Sequence, residues 1–251
     1  MSINLSFGSI DGNKSKRFKG TLFLALIFDL FIFMNQRTES IQRTPPIQHY
    51  SQLALPIGAY LDALMAFEPK ADDPYLAYYD INNQRVKRLR KTIRLESDNI
   101  NSLRAFFSTP KRNQPEEGNE FDSKNKRYWL VISEFWCGDA AQITPVIESI
   151  TNASEGALET RVVFRDEHPE LIDAFLTNGS RSVPKIIQLN DQFEVLGSWG
   201  PRPKAAQDLV VQLKSNPETA GNYSEWLHKW YADDHQRSTQ KELLAFVSST
   251  L

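Results

Sequence analysis

The chain of 251 residues contains a single cysteine, Cys137, and this scarcity excludes several classes of protein. One thiol cannot form an intrachain disulfide, so a secreted protein stabilised by its own disulfides is excluded. It also cannot supply a zinc site built from several cysteines. The four histidines show no metal-ligand spacing; they are His49, His168, His228 and His235. We therefore expect neither a metal nor a bound cofactor.

An excess of charge and the motifs that bind phosphate are also missing. The chain has 29 Lys+Arg and 31 Asp+Glu, a net charge of −2, which argues against a protein built around a polyanion. The basic run from Arg85 to Arg94 contains Val86, Leu89 and Ile93 at helical spacing. This spacing favours the solvated face of an amphipathic helix over a nucleic-acid surface. There is no glycine-rich phosphate loop and no Gly-x-Ser-x-Gly turn, so we expect neither a nucleic-acid partner nor nucleotide or serine-hydrolase chemistry.

Residues 1–46 are predicted to be an amino-terminal extension of the fold. Basic residues from Lys14 to Lys19 precede an apolar run at 21–34, which is the outline of a signal peptide. Asp29 interrupts the run, no small-x-small cleavage site follows, and the run is shorter than the ~20 residues of a spanning helix. Translation from Met34, a signal or anchor at 14–34, a buried helix and a disordered extension stay open. We expect a cytoplasmic protein without membrane association, with the signal or anchor as the alternative.

The rest of the chain divides into four segments by composition. Apolar residues such as Tyr60, Leu61 and Leu64 recur at helical spacing before a polar stretch with few large apolar side chains. From Arg127 onward β-branched and aromatic residues dominate. The predicted segments are a helical segment at 47–110, a linker at 111–126, an α/β domain at 127–216 and a helical tail at 217–251.

The α/β segment predicts a mixed sheet. Tyr128 to Phe135 is continuously apolar, as is typical of a central strand, and a helix ending near Ala153 follows it. The later elements are predicted as a strand at 158–165, a helix at 169–176, strands at 184–189 and 193–199, and a helix from Pro203. Only three residues separate the last two strands, which favours an antiparallel hairpin. We expect four strands, with the first central, the third parallel to it, and helices on both faces.

Several short motifs stand at the ends of these elements. They are Trp-Cys-Gly-Asp-Ala-Ala-Gln at 136–142, Arg-Asp-Glu at 165–167, Leu-Thr-Asn-Gly at 176–179, Pro-Lys at 184–185 and Trp-Gly-Pro-Arg-Pro at 199–203. In this order they resemble the thioredoxin-like superfamily, and more narrowly a bacterial group of its members with one cysteine. The resemblance is dense from 127 to 216 and thinner at 83–89 and 230–233. It implies a thioredoxin-like fold.

The resemblance also implies an active-site turn with Cys137 as the catalytic residue, formed with Trp136, Gly138, Asp139 and Ala140. A cysteine at the start of a helix lies among unpaired N–H groups, which favour the thiolate, whereas the Asp139 charge opposes it. We expect a thiol pKa below the ~8.5 of free cysteine. Thioredoxins carry their second thiol three residues later, where Ala140 stands here. Exchange would therefore stop at a mixed disulfide until an external thiol resolves it.

Substrate binding is implied for a second loop. The resemblance indicates a cis bond between Val183 and Pro184, with the Val183 backbone beside the cysteine to pair with an extended substrate. Arg181 and Arg202 lie in the two loops expected to flank the thiol. Either could hold an anionic substrate, such as the carboxylates of a thiol tripeptide, although for each the sequence favours an ordinary solvated charge.

Two functions of different class remain. One is a monothiol redox protein that exchanges with protein or low-molecular-weight thiols and disulfides. The other is a binding module that uses the same turn without catalysis. The missing second cysteine favours the binding module, whereas the retained Trp-Cys-Gly turn favours exchange. The sequence favours exchange by a narrow margin.

Overall fold

A computed structural model describes residues 46–108 and 126–249. The apolar run at 21–34 and most of the predicted linker lie outside the described residues, so the expectations about them stay untested. Within the described ranges, no helix is long and apolar enough to cross a membrane.

The described residues form five strands and nine helices, and the helices flank the sheet in sequence at both ends. Before the predicted linker lie α1 (Ile47–Leu53), β1 (Leu55–Pro56), α2 (Ile57–Ala66), α3 (Leu76–Thr92) and α4 (Ser97–Ser108). The central elements are β2 (Arg127–Ser133), α5 (Gly138–Ala153), β3 (Leu158–Phe164), α6 (Pro169–Asp173), β4 (Lys185–Leu189) and β5 (Val195–Trp199). The chain continues with α7 (Lys204–Ser215), α8 (Tyr223–Asp234) and α9 (Arg237–Ser248).

The strands form one mixed sheet in the order β1-β3-β2-β4-β5. The central place of β2 and the antiparallel hairpin of β4 and β5 are as predicted. β2 pairs parallel with β3, as expected for two strands joined by the crossover helix α5. The predicted mixed α/β sheet is confirmed.

Two details of the sheet prediction are wrong. A fifth strand, β1, pairs antiparallel with β3 at the sheet edge. It has only two residues, one of them proline, and too few positions to show an alternating pattern. The third predicted strand, β4, runs antiparallel to β2. Since Ile132 near the end of β2 lies opposite Lys185 at the start of β4, the antiparallel direction brings the start of β4 beside the start of α5.

Both faces of the central strand are buried, which explains its continuously apolar sequence. Trp129 and Val131 belong to a core shared with α2, α3, α4, α5 and α9. Leu130 and Ile132 alternate with them and face a second core that includes residues of α1 and α6. The sheet is therefore covered on both faces, as predicted.

The amino-terminal helices are tied to the sheet by polar contacts as well as by apolar packing. Asn82 of α3 is fully buried, and its Nδ2 donates to the carbonyl of Phe135 at 3.0 Å. Arg90 binds both carboxylate oxygens of Glu148 in α5, at 2.6 and 2.8 Å. The basic run of α3 thus contributes at least one structural ion pair in addition to its solvated charges.

The last helix is anchored through a buried amide. Gln188 of β4 accepts a hydrogen bond from Trp129 Nε1 at 2.8 Å. Its amide nitrogen donates to the carbonyls of Phe246 and Ser249, at 3.0 and 3.1 Å. One side chain therefore joins the central strand to the end of α9.

Replacing Asn82 should test how strongly α3 is held. Asn82→Ala leaves the Phe135 carbonyl without this buried donor, so we expect the free energy of unfolding to fall by about 1–3 kcal/mol. The control is Gln84→Ala on an exposed position of the same helix, for which we expect a change within about 0.5 kcal/mol. Urea unfolding of both variants measures the difference, and equal losses would contradict the anchoring role.

Candidate active site at Cys137

Cys137 caps the amino terminus of α5 with its sulfur. The chain leaves β2, turns through residues 134–136, and enters the helix with Cys137 in an extended conformation. The backbone N–H of Ala140 donates to Sγ at 3.4 Å, which satisfies one of the free donors of the first turn. The thiol in turn donates to the carbonyl of Val183 at 3.2 Å. The sulfur thus lies between the helix start and the loop before β4.

The Val183–Pro184 loop lies against the cysteine, and the bond between these residues is cis. Gly200, after β5, also lies close to this loop. A Cβ on Gly200 would lie 2.3 Å from the carbonyl oxygen of Pro184, and the φ of Gly200 is +116°. Only glycine therefore fits at this point of the Trp-Gly-Pro-Arg-Pro motif.

Burial raises the pKa of the Cys137 thiol, whereas the sequence predicted that this pKa is lowered. Only 7% of Cys137 is exposed. Burial is the main reason that the pKa of the Cys137 thiol is raised to about 12; the Asp139 charge adds to the rise, and the backbone N–H groups of Ala140 and Asp139 and the Arg202 charge only partly offset it. A helix terminus contributes at most about 1–2 kcal/mol, whereas burying an ion costs several. The prediction that the thiol pKa lies below that of free cysteine is therefore wrong.

Asp139 is a buried carboxylate whose two oxygens are both occupied. Its Oδ2 accepts from Nε of Arg202 at 3.0 Å and from Nη2 of the same guanidinium. Its Oδ1 accepts from the hydroxyl of Tyr231 in α8 at 2.8 Å. Arg202 also donates to Gln207 at 2.9 Å. The arginine that the sequence offered for substrate binding is thus paired within the protein, and its charge acts on the thiol.

Arg181, the other candidate, is directed elsewhere. It forms an exposed two-bond ion pair with Asp173 of α6, at 2.6 and 2.7 Å. A hydrogen bond joins the Pro-Lys and Leu-Thr-Asn-Gly motifs, because Lys185 Nζ donates to the hydroxyl of Thr177 at 2.6 Å. Lys185 is buried, and burial lowers its pKa. The structure therefore gives Arg181 a solvated ion pair, the alternative that the sequence favoured.

Side chains of two helices from outside the 127–216 segment lie close to the turn that contains Cys137. Arg85 of α3 and His228 of α8 each come within 3.4 Å of the position that a Cβ on Gly138 would occupy. Trp136 stacks on Tyr75, with ring centroids 4.6 Å apart. The guanidinium of Arg165 also lies over the Trp136 ring, 4.7 Å from its centroid. The turn is thus enclosed by elements from both ends of the chain.

Glu134 is an ionisable group in this turn that the sequence analysis did not identify. It is 8% exposed, and its Oε1 accepts from the backbone N–H of Asp166 at 2.8 Å. Burial is the main reason that its pKa is raised to about 7; the charges of Asp166 and Glu167 add to the rise, and Arg165 opposes it.

Among the described residues, no group of three or more His, Cys, Asp or Glu side chains could hold a metal ion.

The residues that sequence reasoning missed come from three separate segments. Glu134 is directly before the Trp-Cys-Gly motif, and its position at the end of a buried strand was a usable signal. Tyr231 falls within the Trp-Tyr-Ala-Asp motif at 230–233, which pointed to the tail but gave no role. Arg85 falls within the 83–89 stretch of the resemblance, which likewise gave no role, and His228 carried no such signal; the packing of α3 and α8 brings both to Gly138.

The fold and site together define a class of protein. A central strand leads into a cysteine at a helix start, and a cis-proline loop lies against the thiol, which is a thioredoxin-like arrangement. A family model described as Thioredoxin matches residues 109–216. Thioredoxins of Listeria monocytogenes and Listeria innocua are each 33% identical to this chain over 85 residues, which cover 33% of this chain and 80% of theirs. The chain belongs to the thioredoxin family.

Two crystal structures share the fold at low sequence identity. A protein of unknown function from Pseudomonas aeruginosa has a TM-score of 0.50 and 16% identity, covering 78% of this chain and 93% of that chain. An HIV epitope scaffold has a TM-score of 0.50 and 14% identity, covering 80% and 96%. At these identities the likeness concerns the fold alone.

Glu134 predicts a pH-dependent stability. Its folded pKa of about 7 exceeds the ordinary value of 4.5, so the folded state binds the proton more tightly and stability falls as the pH rises from 4.5 to 7. Glu134→Gln removes this cost and keeps an oxygen for the Asp166 N–H. We expect a gain of up to about 3 kcal/mol at pH 8 and little change at pH 4, measured by urea unfolding. The exposed Glu218→Gln is the control, and an equal gain at both pH values would contradict the assignment.

The close approach of Gly200 to the Pro184 carbonyl predicts that a larger side chain at position 200 destabilises the fold. Gly200→Ala places a methyl group against a backbone carbonyl, so we expect a loss of more than about 2 kcal/mol of stability. Gly156→Ala is the matched control, since Gly156 also has a positive φ, +93°, but nothing lies within 4 Å of its Cβ position. The control should lose about 1–2 kcal/mol from backbone strain alone. Thermal and urea unfolding compare the two, and similar losses would remove the close-approach argument.

Proposed function

We propose that this protein carries out thiol–disulfide exchange through Cys137, with an external thiol as the resolving partner. The observation that carries the proposal is the position of Sγ at the start of α5, between the Ala140 N–H and the Val183 carbonyl. The Listeria relatives, which bear the name thioredoxin, support the same class of reaction. The partners proposed are protein or low-molecular-weight thiols and disulfides, and the proposed location is the cytoplasm.

The reaction needs one thiol from this chain and one from outside. The Cys137 thiolate attacks one sulfur of a disulfide, the S–S bond breaks, and the leaving thiolate takes up a proton. An external thiolate then attacks the substrate sulfur of the mixed disulfide and releases Cys137, which is protonated again. One substrate sulfur is thereby released as a thiol and the other ends in a mixed disulfide with the external thiol, so one disulfide is exchanged for another and electrons balance. Ala140 supplies no second thiol, so the chain cannot complete this step alone.

The burial of Cys137 determines how the exchange would proceed. With a thiol pKa raised to about 12, only a very small fraction is thiolate at neutral pH. Exchange is therefore slow while Cys137 is buried. A substrate that docks at the turn has to favour deprotonation of the thiol. The Val183 carbonyl, which now accepts from the thiol, becomes available for backbone pairing when the proton leaves.

The same burial favours a second candidate function. A protonated, enclosed cysteine can serve as a small packing residue, and the turn with the Val183–Pro184 loop would then hold a partner without catalysis. The two candidates differ in one observable. Exchange requires that Cys137 form a mixed disulfide under native conditions, whereas the binding module does not.

We expect Cys137 to form a mixed disulfide with a small aromatic disulfide, at a rate that rises about tenfold per pH unit from 7 to 10 without a plateau, because the pKa lies above this range. Mass spectrometry identifies the adduct, and Cys137→Ser should abolish it.

Ala140→Cys restores the two-residue spacing between cysteines and should give measurable reduction of a protein disulfide when a reducing partner is supplied.

The matched control is Ala141→Cys, which adds a sulfur at an equally buried neighbouring position that lies a further 100° around the helix. This variant should stay inactive as a reductase. If Cys137 forms no adduct up to pH 10 in folded protein and Ala140→Cys is also inactive, exchange is excluded and the binding module is the better conclusion.

A further inference from the structure

The C-terminal tail, defined as α8 and α9, reaches the charges beside Cys137 through two side chains. Tyr231 of α8 is 1% exposed and donates its hydroxyl proton to Oδ1 of Asp139. Glu242 of α9 accepts from Nε1 of Trp199 at 2.9 Å and from the backbone N–H of Lys204 at 2.8 Å. These last two residues stand on either side of Arg202, so the tail contacts both the carboxylate and the loop that carries its counter-ion.

Both charges of the ion pair held in this way act on the thiol. Besides burial, the Asp139 charge raises the pKa of Cys137 and the Arg202 charge lowers it, so the balance between the two sets the cost of forming a thiolate. Tyr60 of α2 and Tyr231 of α8 also interact electrostatically with the thiol, and Arg85 of α3 and His228 of α8 interact with the Asp139 charge. Burial raises the pKa of both phenols, so both stay neutral and Tyr231 remains a hydrogen-bond donor over the whole accessible pH range.

We propose that Tyr231 and Glu242 are positioning residues for Cys137, which hold Arg202 against Asp139 so that the carboxylate charge beside the thiol is compensated. The inference rests on the proposed function, since positioning matters only if the thiol reacts. It assigns to the tail a role in the reactivity of the active-site turn, in addition to its packing against α7 and the sheet.

The direction of the effect separates positioning from simple loosening. If Tyr231→Phe removes a donor from Asp139, more of the carboxylate charge acts on the sulfur, and Cys137 should react more slowly. If the variant only loosens the tail, the thiol becomes more exposed and should react faster. Glu242→Gln weakens the second contact and should change the rate in the same direction as Tyr231→Phe.

The experiment measures the rate at which iodoacetamide alkylates Cys137 between pH 8 and 10 in the full chain, with thermal unfolding as the check that each variant is folded. We expect Tyr231→Phe to slow alkylation at least about threefold, equivalent to half a pKa unit, and Asp139→Asn to accelerate it. In an Asp139→Ala background, Tyr231→Phe should have no effect, because it acts through that carboxylate. Asp233→Asn breaks an exposed pair with Lys229 on the same helix and should leave the rate unchanged.

Each remaining outcome decides against the inference. An unchanged rate, a faster rate, or an equal change in both Asp139 backgrounds would show that Tyr231 acts only through packing. If Tyr231→Phe cannot be folded, Glu242→Gln measured in the same two backgrounds gives the answer. Complete resistance of Cys137 to alkylation in every variant would also overturn it. The proposed function is tested separately, because alkylation needs no disulfide partner: mixed-disulfide formation can fail while the Tyr231 effect persists, or succeed while it is absent.

Discussion

The buried carboxylate of Asp139 imposes the strictest requirement on this part of the molecule. An unpaired charge in the protein interior costs several kcal/mol, so the chain must bring donors to both carboxylate oxygens. Arg202 comes from the loop after β5, and Tyr231 comes from the tail. The requirement joins three segments that are far apart in sequence at the first turn of α5. The packing of α8 and the path of the loop after β5 therefore depend on this residue.

The thiol shows how two local effects of unequal size combine. The free N–H groups at a helix start favour a thiolate by about a kcal/mol, and the Ala140 N–H does contact the sulfur. Enclosure by the Val183 loop and by the core around it removes water from the sulfur and acts in the opposite direction with a larger energy. The cysteine at the start of α5 is therefore held as a protonated, buried thiol.

The sequence predicted the order of the elements well because strong local signals marked them. The continuously apolar stretch from Tyr128 identified the central strand, and the short connection at 190–192 identified the hairpin. The short edge strand β1 escaped, since two residues cannot show a period of two. The direction of β4 was also predicted wrongly, because the connection from β3 gives no signal of the direction in which the chain returns to the sheet.

For the candidate site, the sequence by itself determined which residues form the turn around Cys137 and that a second thiol is absent at position 140. It also placed the cysteine at a helix start, since that follows from local pattern and motif. Only the tertiary structure decided what surrounds the thiol. Arg202 is paired with Asp139, Arg181 with Asp173, and the thiol pKa is raised because Cys137 is buried in the core that includes Val183 and residues of α1 and α6. Burial and charge pairing depend on segments that meet only in three dimensions, and a linear pattern of residues carries no record of those distances.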